Sequence, residues 1–579
     1  MTEMKPINKL NLPQMLAQSR LKYGSRTVMR EHDGKKFNEI TYDGFYHMVM
    51  QAASALRQAG IQPHDKVAIL SENRPAWGAS YFASLFLEAA NVPLDALQKI
   101  SEWSFILNSS EAKAVVVSSK FYPDIEPLID RIKTLNAVIC MDEYNGSTDY
   151  LFADEKPEVI EVPATDIDEL AAIIFTSGTT GLAKGVMLSH GNITGDIHGV
   201  LKIVNMYPED NFISILPIHH TFECTCGFLG PLSSGSSITY ARGLASKQIV
   251  GDIKNTKATI LVGVPLVFEK MFAGLTRAIS KKPPFTRAVF KTIYNLTRFL
   301  KKSINVETGG RLFSGLREKA GMSSLRLMVS GGAPLSPDIA EAFNFLGFRL
   351  IQGYGLTESA PVLTVNPPDK YINNSIGVAV PGAQIKIVDI NKQNIGEIIV
   401  KGPMIMKGYF KNIKATDEVL RDGWLYTGDL GRVDDNGYYY ITGRKKNLIV
   451  TPGGKNVYPE EIEFILNKSP YILESLILGQ PIESSGGGEE IKAVIVPDLE
   501  YFSERAVEKG ITLDEENIEK TVKLEVAKQS EQLANYKRVK YIVIRDEDFE
   551  KTSTRKIKRY LYKHKAMTVM SPNKRGKLQ

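Results

Sequence analysis

Short apolar runs of strand length recur along this 579-residue chain, and stretches of helical character separate them. "KVAILSE", "KAVVVSS", "AAIIF", "ATILVGV" and "LRLMVSG" are buried-strand candidates. Residues 42–60, "YDGFYHMVMQAASALRQAG", space their apolar residues as a helix does and close on a glycine. "GASYFASLFLEAANV" reads as another helix. Alternating strands and helices predict α/β layers around a largely parallel sheet. From about residue 376 the texture changes. "GAQIKIVD", "GEIIVKG" and "GYYYITGR" predict short strands with Gly-rich turns and hence a β-rich part. A smaller α/β segment follows Arg444.

Charge narrows the partners. The formal net charge is +6, but residues 551–579 hold ten Lys or Arg and no Asp or Glu, leaving the remainder at −4. The positive charge is a property of the tail, so no nucleic-acid partner is expected. Three cysteines, Cys140, Cys224 and Cys226, are too few for a disulfide framework and suit a reducing compartment, here cytoplasmic. Cys224 and Cys226 have no second Cys or His pair at zinc spacing. The N-terminal stretch lacks the apolar core of a signal peptide, and no apolar run is long enough to span a bilayer.

One loop points to chemistry. "FTSGTTGLAKGVMLSHGN", residues 175–192, runs from one strand candidate into another. Its glycines let backbone N–H groups turn onto a single anion, its Ser and Thr hydroxyls add donors, and Lys184 adds a positive charge. Such a loop suits a triphosphate, although a plain surface turn has a similar composition. It is not a Walker A loop, because Gly178 is followed five places later by Ala183.

The stretch "TSGTTGLAKG" resembles the phosphate loop of the adenylate-forming superfamily. Its companions follow in that superfamily's order: "QGYGLTES" (352–359), "GWLYTGDLG" (423–431), "ITGRKKNLIVTPGGKNVYPEEIE" (441–463) and "KTSTRKIKR" (551–559). The wording is most similar to long-chain fatty acid–CoA ligases. The resemblance implies a large N-terminal domain, 1–443, built of two α/β subdomains and a β-barrel-like part. A hinge at 444–446 and a small mobile α+β lid with a basic tail, 447–579, would complete the chain. It implies a two-step reaction using ATP, Mg²⁺ and CoA. A carboxylate attacks the α-phosphate to give acyl-AMP and pyrophosphate, and a thiol then displaces AMP.

Residue roles carry over from the same resemblance. Thr176, Ser177, Gly178, Thr179, Thr180, Gly181 and Lys184 would cradle the phosphates. Gly332, Ala333 and Pro334 of "SGGAPL", with Gly353, Tyr354 and Gly355, would form the adenine pocket. Thr357 would touch the α-phosphate and Glu358 would bind Mg²⁺. Asp429 and Arg444 would hold the ribose, and Lys446 would be the hinge residue. Lys556 would be the catalytic lysine, although Arg555 stands where a glycine is usual and Lys558 and Arg559 are basic neighbours. Gly453, Gly454 and Lys455 would serve the CoA tunnel, with Lys455 standing where many relatives have Glu. His220, in "LPIHHTFECTCGFLGPL" (216–232), would wall or gate the acyl site. The apolar run after it suits an acyl tunnel and an ordinary core helix equally.

Residues 285–302 add a surface feature. Phe285, Val289, Ile293, Leu296 and Leu300 share one helical face, and Arg287, Lys291, Arg298 and Lys302 share the opposite one. The pattern suits an anionic membrane surface, and also any helix with its apolar side on the core. The expected activity is therefore a medium-to-long-chain fatty acid–CoA ligase. Transfer to an acyl carrier protein, an aryl or other acid, an ADP-forming phosphotransferase and a binding protein without turnover stay open as alternatives.

Overall fold

The computed structural model describes residues 4–145, 150–176, 183–482, 488–509, 514–552 and 556–563. Two large sheets organise the first two-thirds of the chain. A seven-stranded sheet runs in the order Gly408–Tyr409, Lys184–Ser189, Leu170–Thr176, Ala90–Pro93, Lys66–Leu70, Ala114–Val117, Ala137–Cys140. A nine-stranded sheet includes the parallel neighbours Leu350–Gly355, Leu327–Ser330, Ile260–Gly263, Asn211–Ser214 and Ser237–Tyr240. Its central strands are almost wholly buried, as strands covered by helices on both faces must be. The five buried-strand candidates of the sequence fall in these two sheets.

The helix at Tyr42–Gln58 begins where Thr41 accepts the Gly44 N–H, so a hydroxyl satisfies one of the donors left free in the first turn. Its buried face, including Phe45, Val49, Met50 and Leu56, packs on the fully buried helix Pro75–Phe86. The stretch "GASYFASLFLEAANV" is not one helix. It breaks after Phe86, turns through Glu88 at φ +58°, and continues as the strand Ala90–Pro93. An unbroken apolar run hides such a change, because buried helices and buried strands are equally apolar all round.

The β-rich part is a five-stranded antiparallel sheet containing Gln384–Val388, Gly396–Lys401, Trp424–Val433 and Tyr439–Arg444. The segment after Arg444 has its own core. Ile449, Val457, Ile462, Leu466, Ile477 and Ile495 form a cluster apart from the main core, around the strands Ile472–Pro481, Glu489–Pro497 and Tyr541–Ile544.

Candidate active site

A cleft of about 1030 Å³ opens where the two large sheets, the β-rich part and the C-terminal segment meet. Thr176, Lys184, His220, Gly332, Gly353, Tyr354, Gly355, Thr357, Glu358, Arg444, Lys446 and Lys556 all line it. Twelve of the residues singled out in the sequence, scattered over 380 positions, therefore face one space. Ser177, Gly178, Thr179, Thr180 and Gly181 lie outside the described residues.

The Gly-rich loop is the connection of a hairpin. Leu170–Thr176 and Lys184–Ser189 pair antiparallel, with Thr176 opposite Lys184. Gly185 is required beside that pair, since a Cβ there would meet Ile173 Cγ2 at 2.7 Å and the Phe175 ring at 3.1 Å. The outer edge of the hairpin is covered by Gly408–Tyr409, with Tyr409 opposite Val186. Tyr409 joins two candidates. Its hydroxyl donates to Glu358 Oε1 at 2.8 Å, and the Lys184 ammonium lies 4.9 Å from its ring centroid. Burial and the Glu358 charge push the phenol well above its ordinary range, so it stays a donor. The sequence reading missed Tyr409, because its place depends on a pairing between segments more than 200 residues apart.

A second cluster forms on the β-rich sheet. Asp429 and Arg444 are direct cross-strand partners, and Arg444 Nε lies 2.8 Å from Asp429 Oδ1. The Tyr354 hydroxyl donates to Asp429 Oδ2 at 2.7 Å. Asp429 is buried beneath the cleft wall, so each of its oxygens has a protein partner while Arg444 and Tyr354 face the open space. The Asp429 charge, above all, raises the Arg444 guanidinium further. Lys445 leaves the cluster for Glu397, at 2.6 Å.

Lys556 enters from the C-terminal segment and stands over both clusters. Its ammonium is lowered chiefly by desolvation, then by the like charge of Arg444, while Asp429 and Glu358 pull the other way. The basic neighbours divide differently. Arg559 is turned into the C-terminal core, where it donates to the Ile477 carbonyl at 3.1 Å and pairs with Glu463. Lys558 sits at the cleft rim, and Arg555 lies outside the described residues.

His220 lies deeper. Desolvation first, then the neighbouring His219, pushes its imidazole down to about 3, with Lys556 acting in the same direction. It is therefore neutral at physiological pH. His219, 3.6 Å from Asp95, completes a group of possible ligand atoms lying within 4.8 Å of one another. Two imidazoles and one carboxylate suit zinc better than Mg²⁺. Cys224 and Cys226 are free and buried. Beyond His220 the chain winds into a wide-turned π-helix, Glu223–Leu229. Phe222 and Cys226, one turn apart, line the cleft, whereas Phe228 and Leu229 belong to the core. The run after His220 is thus both a cavity wall and a core helix. Phe222 can lie there because Gly331 has no Cβ, which would meet the Phe222 ring at 2.7 Å. From this point Val200, Val204, Met206, Phe212, Ile260 and Leu327 line an apolar extension.

Some candidates stand elsewhere. Ala333 is half-buried and Pro334 exposed, and neither contributes to the cleft wall. Gly453, Gly454 and Lys455 form an exposed turn, closed by the Gly454 N–H to the Thr451 carbonyl at 2.8 Å, and none of them lines the cleft.

The site and the sheets define an adenylate-forming enzyme. The model of the AMP-binding enzyme family matches residues 16–410, and the chain belongs to that family. Fatty acyl-CoA synthetase B of Dictyostelium discoideum is 30% identical over 543 residues, covering 86% of this chain and 78% of its own length. A feruloyl-CoA synthase of an Amycolatopsis species is 29% identical over 467 residues, covering 79% of this chain and 84% of its own. Among solved structures, ATP-bound MatB of Rhodopseudomonas palustris superposes with a TM-score of 0.75 at 26% identity, covering 96% of this chain and 99% of MatB.

Proposed function

We propose that this protein is an AMP-forming ligase that joins a medium-to-long-chain fatty acid to CoA through an acyl-AMP intermediate. One observation carries the reading: the same cleft is cationic and hydroxyl-rich at Lys184, Arg444 and Lys556, and apolar from Phe222 to Leu327. A nucleotide and an aliphatic chain would then meet end to end. Its volume lies at the upper limit of about 300–1,000 Å³ usual for small-molecule sites, which suits two ligands together.

In the first step a fatty carboxylate oxygen bonds to the α-phosphorus, and the bond to pyrophosphate breaks. The attacking group is already ionised, so no general base is needed and the neutral His220 acts as a wall. Lys556 and Thr357 stabilise charge on the α-phosphate, while Lys184 and the loop that begins at Thr176 hold the β- and γ-phosphates. Tyr354 lies along the adenine, and Arg444 reaches the ribose from its anchor on Asp429. Glu358 would hold Mg²⁺, since a single carboxylate with phosphate oxygens is a donor set that ion accepts. Mg²⁺ would supply neutralisation of the triphosphate charge. In the second step the CoA sulfur bonds to the acyl carbonyl and AMP leaves. Residues 444–446 then act as a hinge between a body, 1–443, and a lid, 447–579, whose movement brings Gly453, Gly454 and Lys455 to the pantetheine arm.

Nucleotide products with ATP, Mg²⁺ and palmitate, with and without CoA, test the reading. Catalytic AMP and palmitoyl-CoA only when CoA is present are expected. ADP as product, or no product, overturns it. Lys556→Ala is expected to slow adenylation about 100- to 1,000-fold while sparing transfer from supplied palmitoyl-AMP to CoA. Equal loss in both halves would remove Lys556 from its assigned role. The feruloyl-CoA synthase relative supports an aryl acid as second reading. Ferulate turned over faster than palmitate would establish it. AMP held to about one turnover with CoA present, and released by a carrier protein, would change the acceptor.

A further inference from the structure

The helix Pro284–Ile304 is the longest in the described chain and lies on its surface. It does not use its apolar residues on one face only. Phe290, Ile293, Tyr294 and Thr297 turn inward, and Ile293 and Leu300 are half-buried rather than part of an outer stripe. A second stripe, Phe285, Val289, Leu296 and Phe299, points outward at the spacing of one helical face. Phe285 is 79% exposed, Phe299 63% and Leu296 46%. Ordinary surface helices scatter single exposed apolar residues and do not align four along about four turns.

Charge flanks that stripe. Arg287, Lys291, Arg298 and Lys302 run along the far side of the outward half, and residues 277–306 contain eight Lys or Arg without one Asp or Glu. Arg277, Lys301 and Lys302 pair with carboxylates from other segments. Among the described residues, no carboxylate lies within ion-pair distance of Lys281, Lys282, Arg287, Lys291 or Arg298. No helix there is long and apolar enough to cross a membrane.

We infer that this helix is the face by which the protein rests on an anionic phospholipid bilayer. Phe285, Leu296 and Phe299 would enter the headgroup layer, and Lys291 and Arg298 would meet lipid phosphates. An outward apolar ridge beside the unpaired cations Arg287, Lys291 and Arg298 matches a surface that is apolar below and negative above. The inference does not depend on the identity of the acid.

Co-sedimentation of the full chain with vesicles tests it, using phosphatidylcholine alone and phosphatidylcholine with about one-third phosphatidylglycerol. Binding to the anionic vesicles only is expected. Lys291→Glu with Arg298→Glu should reduce it at least about tenfold. Phe285→Ser with Phe299→Ser should reduce it comparably, with the soluble ligase reaction unchanged because all four side chains face solvent. Phe299→Trp should gain fluorescence quenched by brominated lipid beyond that of the native protein. Failure of the native chain to bind anionic vesicles overturns the inference. So does unchanged binding in either double variant, which would leave the basic C-terminal tail as the attachment, and so does absence of extra quenching.

Discussion

At the scale of single residues, the site depends on groups whose charge state is set by burial. Glu223 begins the π-helix behind Phe222 and is fully buried. Burial raises its carboxyl to about 8, with the Ser214 hydroxyl pulling the other way. Between its unfolded value near 4.5 and about 8 the folded chain holds a proton that the unfolded chain has released. Stability from this group is therefore complete at low pH and declines as pH rises across that window, by at most about 1.4 kcal/mol per pH unit. Glu223→Gln is neutral at every pH and nearly the same shape. The melting temperature of the native chain should fall more steeply from pH 5 to pH 8 than that of the variant. Parallel curves would show that Glu223 does not titrate in the fold. Residues of this kind are hardly legible in the sequence. "HHTFECTC" gives the donor types but not which of them is sealed from water. Asp429 and Arg444 were legible because each sits in a short fixed motif, whereas Tyr409 was not, since it acts only through strand pairing.

At the scale of elements, the hairpin Leu170–Thr176/Lys184–Ser189 does more than carry a loop. Its first strand pairs with Ala90–Pro93, and its second with Gly408–Tyr409. The register that sets Thr176 opposite Lys184 requires Gly185 to pass under Ile173 and Phe175. Gly185→Val would overfill that gap and should destabilise the protein by about 1–3 kcal/mol. Because the strand cannot shift without separating Lys184 from Tyr409, the KM for ATP should rise together with the fall in melting temperature. A lower melting temperature with an unchanged KM would mean that the loop is positioned independently of the strand. Strands flanked by glycine were plain in the sequence. The strand Ala90–Pro93 was hidden at the end of an apolar helix, and the inward and outward apolar stripes of Pro284–Ile304 could not be separated. A helical wheel shows which residues share a face and not how many faces find a partner.

At the scale of the molecule, the C-terminal segment delivers Lys556 to the cleft while its exposed turn at 451–455 points elsewhere. For both to serve one reaction centre, as proposed, the arrangement would have to change between the two steps, and a hinge at 444–446 would allow it. Apart from the Asn391 amide, which donates to the hydroxyl of the buried Tyr458 at 3.3 Å, exposed ion pairs join the segment to the rest and fit a movable joint. Lys468 meets Asp338 at 3.1 Å, and Arg277 meets Glu500 and Glu504 at 3.4 and 3.3 Å. All of these side chains are solvent-exposed, and such pairs contribute about 0–1 kcal/mol each. Their weakness makes them suitable for trapping. Asp338→Cys with Lys468→Cys can be joined by a short bis-maleimide; Cys140 and Cys224 are buried, and the single-substitution controls report any reaction at Cys226, which lines the cleft. The bridged protein should still convert ATP and fatty acid to enzyme-held acyl-AMP with one equivalent of pyrophosphate. Acyl-CoA formation should fall at least about tenfold, because the segment can no longer exchange Lys556 for the 451–455 turn. The singly substituted proteins treated with the same reagent should turn over normally. Acyl-CoA formation at the unbridged rate would mean that both steps run in the arrangement seen here and that CoA reaches the acyl-AMP by a path that does not involve Gly453, Gly454 and Lys455.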